Sequence, residues 1–381
     1  MTEKTKPPAP YAGADWTQQV WLWPLEATKM ALHSYAQWFG NQKAEPSGAP
    51  DQAPLAWTMP NAVVLQLPTM QLREFSRGGR TQPPVLVCAP YALHGAVIAD
   101  FAPRHSLVEA LQNGGVNRIY VPDWRSAVPD MRYLSIDNYL AELNVAIDEI
   151  GAPVDLVGLC QGGWLSLVYA ARFPGKVRRL VLAGAPVDVS TPSELSKMVA
   201  AVPQPAFEQM VQQGEGLVSG EHMLKLWNIP FNLQDVETTL QRNLGDGSDE
   251  AARLLDRFER WDRATLDLPG TYYLEVTDRV FRQNLIAEGR FVALGRRIDL
   301  SEVRVPVFLL AGESDIVVPR DQAFATARLL GTPPAWLERA CEPCAHLSLF
   351  MGRGALSHSW RRVARWLQAD IGDAAGARIS A

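Results

Sequence analysis

The sequence predicts an α/β protein with a mostly parallel, doubly wound sheet, helices on both faces and a largely helical cap insertion. Three observations predict it. Short apolar runs alternate with amphipathic stretches between residues 62 and 183, and strands resume at 305. Between them, residues 190–298 read almost wholly as helix. The run Val154–Leu159 passes through Gly158-Leu159-Cys160-Gln161-Gly162-Gly163 into a helical segment at 164–172, the strand–turn–helix shape of a nucleophile elbow with cysteine in place of the usual serine.

Taken in order, residues 14–40 carry Trp16, Trp21, Trp23, Leu32, Tyr35, Trp38 and Phe39 at the spacing of an amphipathic helix. Such a helix either packs on the main domain or offers an aromatic face to a partner or an apolar polymer surface. Residues 41–54, rich in Pro, Gly, Ala and Gln, read as a linker. Residues 62–67 and 71–75 read as an opening antiparallel pair, and 85–89 as a short buried strand. A helix follows at 106–113, a strand at 118–122, and a helix at 136–150 with Ser135 as its cap. Strands at 154–159 and 179–183 flank the elbow helix. Beyond the insertion come strands at 305–311 and 335–340 and a last helix at 355–369. This organisation gives an N-terminal aromatic helix and linker over 1–54, a core over 55–189 and 299–381, and a helical cap or lid over 190–298.

Composition narrows the function classes. Apolar residues make up 47% and charged residues 20%, as in ordinary globular proteins. A net charge of −5 gives no electrostatic footprint for nucleic acid. No run of about 20 apolar residues is present to span a bilayer. Residues 1–10 lack the apolar centre of a signal peptide. The four cysteines are Cys88, Cys160, Cys341 and Cys344. A catalytic thiol suits a reducing compartment, so a cytoplasmic location is expected.

A cysteine at a strand end is ordinarily a small core residue. Between tight-turn glycines and ahead of a helix N-terminus, Cys160 reads instead as a nucleophile, since the helix dipole favours a thiolate and an oxyanion. Such a nucleophile needs a base, and the base an orienting acid, in the chain order nucleophile, acid, histidine. Asp315 lies just past the carboxyl end of the 305–311 strand, with Glu313 as its close competitor, and His346 follows a strand and precedes a helix. Of the other histidines, His94 and His105 sit near the early loop, and His94 could approach the site; His33, His222 and His358 lie elsewhere. The Gln161 N–H is the expected first oxyanion donor, and the second is expected from the loop after the 85–89 strand, at Tyr91 or Ala92. Cys341-Glu342-Pro343-Cys344 lacks the further ligands of a zinc site and the following histidine of a haem attachment. It reads as two small residues at a strand end, with a redox pair as the alternative. No metal or organic cofactor is implied.

These residues resemble the polyhydroxyalkanoate synthases, α/β-hydrolase-fold enzymes, and are most similar to the short class III type that works with an accessory subunit. The similarity covers about residues 83–367. It is carried by the box Gly158-Leu159-Cys160-Gln161-Gly162-Gly163, by Tyr120-Val121-Pro122-Asp123-Trp124-Arg125, by Arg104-His105-Ser106-Leu107-Val108, by Pro186-Val187-Asp188 and by Phe258-Glu259-Arg260-Trp261. Ile316 stands where the family usually has a histidine after the acid, and Ala345 and Leu347 flank His346 where glycines are usual. The ending Leu347-Ser348-Leu349-Phe350 is also similar to intracellular polyhydroxyalkanoate depolymerases. The resemblance implies a Cys160–His346–Asp315 triad acting on 3-hydroxyacyl-CoA, with CoA as part of the substrate. It further implies association with polyester granules and either an accessory synthase subunit or a homodimer. A depolymerase or acyl thioesterase using the same triad is the first alternative; a non-catalytic granule-associated protein is the second.

Overall fold

The computed structural model describes residues 55–78, 81–227 and 249–370 of the chain. The aromatic helix expected at 14–40, the linker at 41–54 and residues 228–248 of the expected cap lie outside the described residues.

Eight strands form one sheet: β1 (Ala62–Gln66), β2 (Met70–Glu74), β3 (Val85–Cys88), β4 (Ile119–Trp124), β5 (Val154–Leu159), β6 (Val177–Ala183), β7 (Val307–Gly312) and β8 (Leu337–Glu342). Their order is β1-β2-β4-β3-β5-β6-β7-β8. β2 alone runs against the others: it pairs antiparallel with β1 and β4, and every later pair is parallel. The expected antiparallel opening and parallel remainder are both present. β4 runs two residues further than its sequence signal, past Pro122, which has no N–H to donate. The position tolerates it because the ladder to β3 ends at Tyr120, leaving β2 as the partner opposite Pro122. Proline also trims later strands: β7 begins after Pro306, and Pro333 and Pro334 turn the chain in a short 3-10 segment before β8.

On the core side are α1 (Leu107–Asn113), α2 (Ile136–Ile150), the elbow helix α3 (Gln161–Arg172) and, late in the chain, the short helices that follow β7 and β8. Ser106 caps α1 by accepting from the Glu109 N–H. Ser135 opens α2 as expected, with its N–H donating to Asn138 Oδ1 at 2.8 Å. The final helix is not continuous: it divides into Arg353–Ser357 and Ser359–Gln368, with the break at His358. Alternate residues of neighbouring strands, such as Val87, Val157, Val181 and Phe308, pack into one cluster with Leu107, Trp360 and Val363. Leu86, Leu156 and Leu180, pointing to the other face, are equally buried. Coverage of both faces explains why these strands are apolar throughout rather than alternating.

Between β6 and β7 the described residues form α4 (Glu194–Ala201), α5 (Gln204–Gln213), α6 (Gly220–Trp227), α7 (Asp249–Arg263) and α8 (Gly270–Glu275), which runs on into π-helical turns at Val276–Arg282. Two small ribbons, Leu217–Val218 with Leu268–Pro269 and Val292–Ala293 with Arg296–Arg297, add strand that the sequence pattern does not signal. α7 buries Leu254, Phe258 and Trp261, a helical stripe, in the same cluster as the sheet residues.

Asp188 ties the root of this insertion to the core. Its Oδ1 accepts from the Ser190 N–H and hydroxyl and from Asn284, and its Oδ2 pairs with Arg328 at 2.8 Å. Burial opposes its charge, but the bonds from Ser190, Arg328 and Asn284 outweigh it and hold the carboxyl at about 2. A native value below the unfolded one stabilises the fold above about pH 4, and that contribution fades as pH falls toward 2. The guanidinium end is largely exposed and adds little; the hydrogen bonds at the buried carboxylate carry the effect. Asp188→Ala is expected to cost roughly 1–3 kcal/mol in urea unfolding at pH 7, and the gap from the parent protein should narrow at pH 3.

Candidate active site

Cys160 sits at the bend between β5 and α3 with φ 48° and ψ −122°, a left-handed conformation that non-glycine residues seldom adopt. The bend is tied to the sheet by the Cys160 N–H donating to the Ala183 carbonyl at 2.9 Å. It also requires its glycines. A Cβ at Gly158 would lie 2.5 Å from the Gly163 Cα, and one at Gly162 would run into the Cys88 carbonyl. α3 begins at Gln161, three residues earlier than the side-chain pattern signals, so the Gln161 N–H belongs to a first turn that has no intrahelical acceptor.

The turns after β7 and β8 are laced together. The Glu313 N–H donates to the Glu342 carbonyl at 2.8 Å and the Ser314 N–H to the Cys344 carbonyl at 3.2 Å. This lacing brings Asp315 beside His346: His346 Nδ1 lies 2.6 Å from Asp315 Oδ2, and both residues are buried. Asp315 Oδ1 accepts from the Val317 and Val318 N–H groups at 2.9 and 2.8 Å, which fixes the carboxylate. The Cys160 sulfur is near enough to the imidazole to favour its charged form. Burial disfavours the charged ring, but the Asp315 carboxylate and the sulfur of Cys160 overcome it and raise the group to about 10. Glu313, the competing acid, is exposed.

Cys160, Gln161, His346, Tyr91 and Ala92 line one apolar pocket of roughly 110 Å³. Its far wall comes from the insertion, including Leu195, Val199, Met223 and Phe281. Sequence reading missed these residues; they look like any apolar helix face, and only the packing turns them toward Cys160.

The remaining candidates go elsewhere. His94 stacks on Trp261 with centroids 4.1 Å apart, and its Nε2 lies 3.0 Å from the Asp262 carbonyl, so it joins the early loop to α7. His105 is buried against the Met351 carbonyl at 2.8 Å, and burial lowers its affinity for a proton. Cys341 and Cys344 are free thiols; the main chain of Cys344 serves the lacing of the two turns. Burial pushes both Cys88 and Cys344 up to about 12, and Cys341 upward too. Among the described residues no group of three His, Cys, Asp or Glu side chains gathers as a metal site, and no helix is long and apolar enough to cross a membrane.

A mostly parallel sheet in this strand order, with the bent Cys160 after β5 and a buried His–Asp pair after β7 and β8, defines an α/β-hydrolase-type enzyme. The family described as "alpha/beta hydrolase fold" matches residues 100–353, and the chain belongs to it. Among curated proteins, the chain is 28% identical to the poly(3-hydroxyalkanoate) polymerase subunit PhaC of Allochromatium vinosum over 74% of its own length and 81% of the relative's. It is also 28% identical to the PhaC subunit of a Synechocystis species, over 74% and 78% of the two chains. The resemblance read from the box around Cys160 is thus borne out. Among solved structures, an inhibitor-bound epoxide hydrolase from Bacillus megaterium superposes with a TM-score of 0.51 at 13% identity, over 78% of this chain and 97% of the other, a likeness of fold.

The Asp315 carboxylate is the largest support for the charged imidazole, so removing its charge must lower the ring's proton affinity. In Asp315→Asn, nitrogen-15 NMR of the His346 ring should show titration well below 10, while the parent ring stays protonated at pH 8.

Proposed function

We propose that this protein is an acyltransferase that polymerises 3-hydroxyacyl-CoA, in the simplest case 3-hydroxybutyryl-CoA, into polyhydroxyalkanoate with release of CoA. The observation that carries the reading is the Cys160–His346–Asp315 arrangement opening onto an apolar pocket, in a chain whose curated relatives are polymerase subunits.

In the resting enzyme His346 already holds the thiol proton of Cys160, and Asp315, bonded at Nδ1, keeps the Nε2 side of the ring toward the sulfur. The thiolate attacks the thioester carbonyl. The tetrahedral oxyanion is met by the Gln161 N–H and by a donor from the Tyr91–Ala92 loop. The carbonyl reforms, the CoA sulfur leaves with the proton from His346, and a Cys160 thioester remains. With the thiolate consumed, one support for the imidazolium disappears, so the ring is better able to act as base in the second half. It removes the proton from the 3-hydroxyl of another acyl unit, whose oxygen attacks the acyl-cysteine. An ester forms, Cys160 is released as the thiol, and the chain is one unit longer. Pocket walls contributed by the insertion keep water from taking the place of that hydroxyl.

The same reading carries a cytoplasmic location at the polyester granule and a protein partner. The partner is an accessory synthase subunit or a second copy of this chain; the description of the relatives as subunits supports the former.

Incubation with 3-hydroxybutyryl-CoA should give one CoA per ester bond and a polymer of rising mass. Cys160→Ala should abolish CoA release, and Asp315→Asn should lower kcat by roughly 10³–10⁴. CoA with monomeric hydroxyacid as the sole product would make the enzyme a hydrolase and overturn the transferase reading.

A further inference from the structure

Three tyrosines from different parts of the fold meet beneath the pocket. Tyr91 lies on the loop after β3, Tyr139 in the first turn of α2 and Tyr272 on α8 of the insertion, and all are essentially without solvent exposure. Tyr91 stacks on Tyr139 with centroids 4.7 Å apart, and Tyr272 sits 4.7 Å from Tyr139 and 5.2 Å from Tyr91. Phenylalanine would fill the same volume. A hydroxyl buried at such a place costs free energy unless it is bonded, and here the hydroxyls are bonded in a chain. Tyr139 donates to the Tyr91 hydroxyl at 2.9 Å, and Tyr91 donates to the Asp267 carbonyl at 3.3 Å. The Tyr272 hydroxyl reaches the Tyr91 carbonyl at 3.5 Å, and Trp124 Nε1 donates to the Ala89 carbonyl at 2.9 Å. Burial pushes all three phenols upward, so each remains a neutral donor.

Asp267 lies within the insertion, between α7 and α8, where it is bonded to the core. Its N–H bonds Ser126, its carbonyl accepts from the Ala127 N–H, and its Oδ1 accepts from the Gly220 N–H. The loop carrying Tyr91 and Ala92 is therefore held from the core helix α2 on one side and from the insertion on the other. Among the described residues the Ala92 and Gln161 N–H groups have no hydrogen-bond partner, and both residues line the pocket with Cys160.

We propose that Tyr139, which does not line the pocket, is a positioning residue for the oxyanion site: through the Tyr91 hydroxyl it fixes the loop that supplies the second donor and registers that loop against the insertion. This rests on the reading that the Tyr91–Ala92 loop faces the oxyanion.

The test is Tyr139→Phe in the full chain, acylated with p-nitrophenyl acetate, which uses the oxyanion site whatever the natural acyl donor. The burst rate should fall about tenfold to a hundredfold with KM within about twofold. An aldehyde that forms a hemithioacetal with Cys160 should lose affinity in proportion, while a thioether analogue of the substrate, which makes no tetrahedral centre, should bind as before. An unchanged burst rate, or loss of thioether binding in step with the rate, overturns the proposal. Should that variant fail to fold, Tyr272→Phe removes the other tie on the same loop. It should weaken the aldehyde in the same direction, and parental aldehyde affinity there also overturns the proposal. A normal parental burst without polymer defeats the polymerase reading and leaves this inference standing; no parental burst defeats both.

Discussion

The backbone at residue 160 is bent into a conformation that costs on the order of 1–3 kcal/mol, and much of the fold serves to hold it there. The chain leaves β5 at the centre of a parallel sheet and must enter α3 within one residue. That is possible only where neighbouring backbone can come close, which is why Gly158 faces Gly163 and Gly162 faces the carbonyl end of β3. The Cys160 N–H remains tied to β6 through Ala183. The sulfur therefore stands at the carboxyl edge of the sheet with its position set by main chain on both sides. The first turn of α3 lies directly behind it, with N–H groups that the helix itself cannot use.

The second constraint is electrostatic. An imidazole and a carboxylate buried together are expensive unless their hydrogen-bonding capacity is filled. Here Asp315 receives two main-chain N–H groups besides the imidazole, and His346 is packed edge-on against Phe350 at 5.1 Å. The lacing of the turns after β7 and β8 places the pair, and the Cys344 carbonyl belongs to it. Cys344 thus has a main-chain role beside the His346–Asp315 pair, while burial disfavours the thiolates of both Cys341 and Cys344.

The insertion supplies much of the pocket wall, yet it is not loosely attached. α7 shares the principal core cluster, Asp188 fastens Asn284 to Arg328, and His94 stacks on Trp261. Pocket, His346–Asp315 pair and early loop are consequently parts of one packed body, so a change in the packing of the insertion reaches the Tyr91–Ala92 loop through contacts already made.

The local sequence determined what is governed by periodicity and turn chemistry. The Val154–Leu159 strand, the Ile136–Ile150 helix and the bend at Gly158–Gly163 are legible because apolar spacing, a capping serine and paired glycines act over a few residues. The chain order of Cys160, Asp315 and His346 was legible for the same reason, each lying just past an apolar run. Element ends were less so: Pro306, Pro333 and Pro334 trimmed strands, and α3 began ahead of Gly162 and Gly163, which are poor helix formers. What only the tertiary structure decided is everything that depends on separate segments meeting. Glu313 and Asp315 are both acids at one turn, and only packing buries the second against His346. The His94 loop could approach the site by sequence, and only the structure shows the ring taken up by Trp261 of α7. The apolar wall of the pocket and the Tyr91–Tyr139–Asp267 chain join residues as much as 176 positions apart, and contacts of that range leave no periodic trace in the residues that make them.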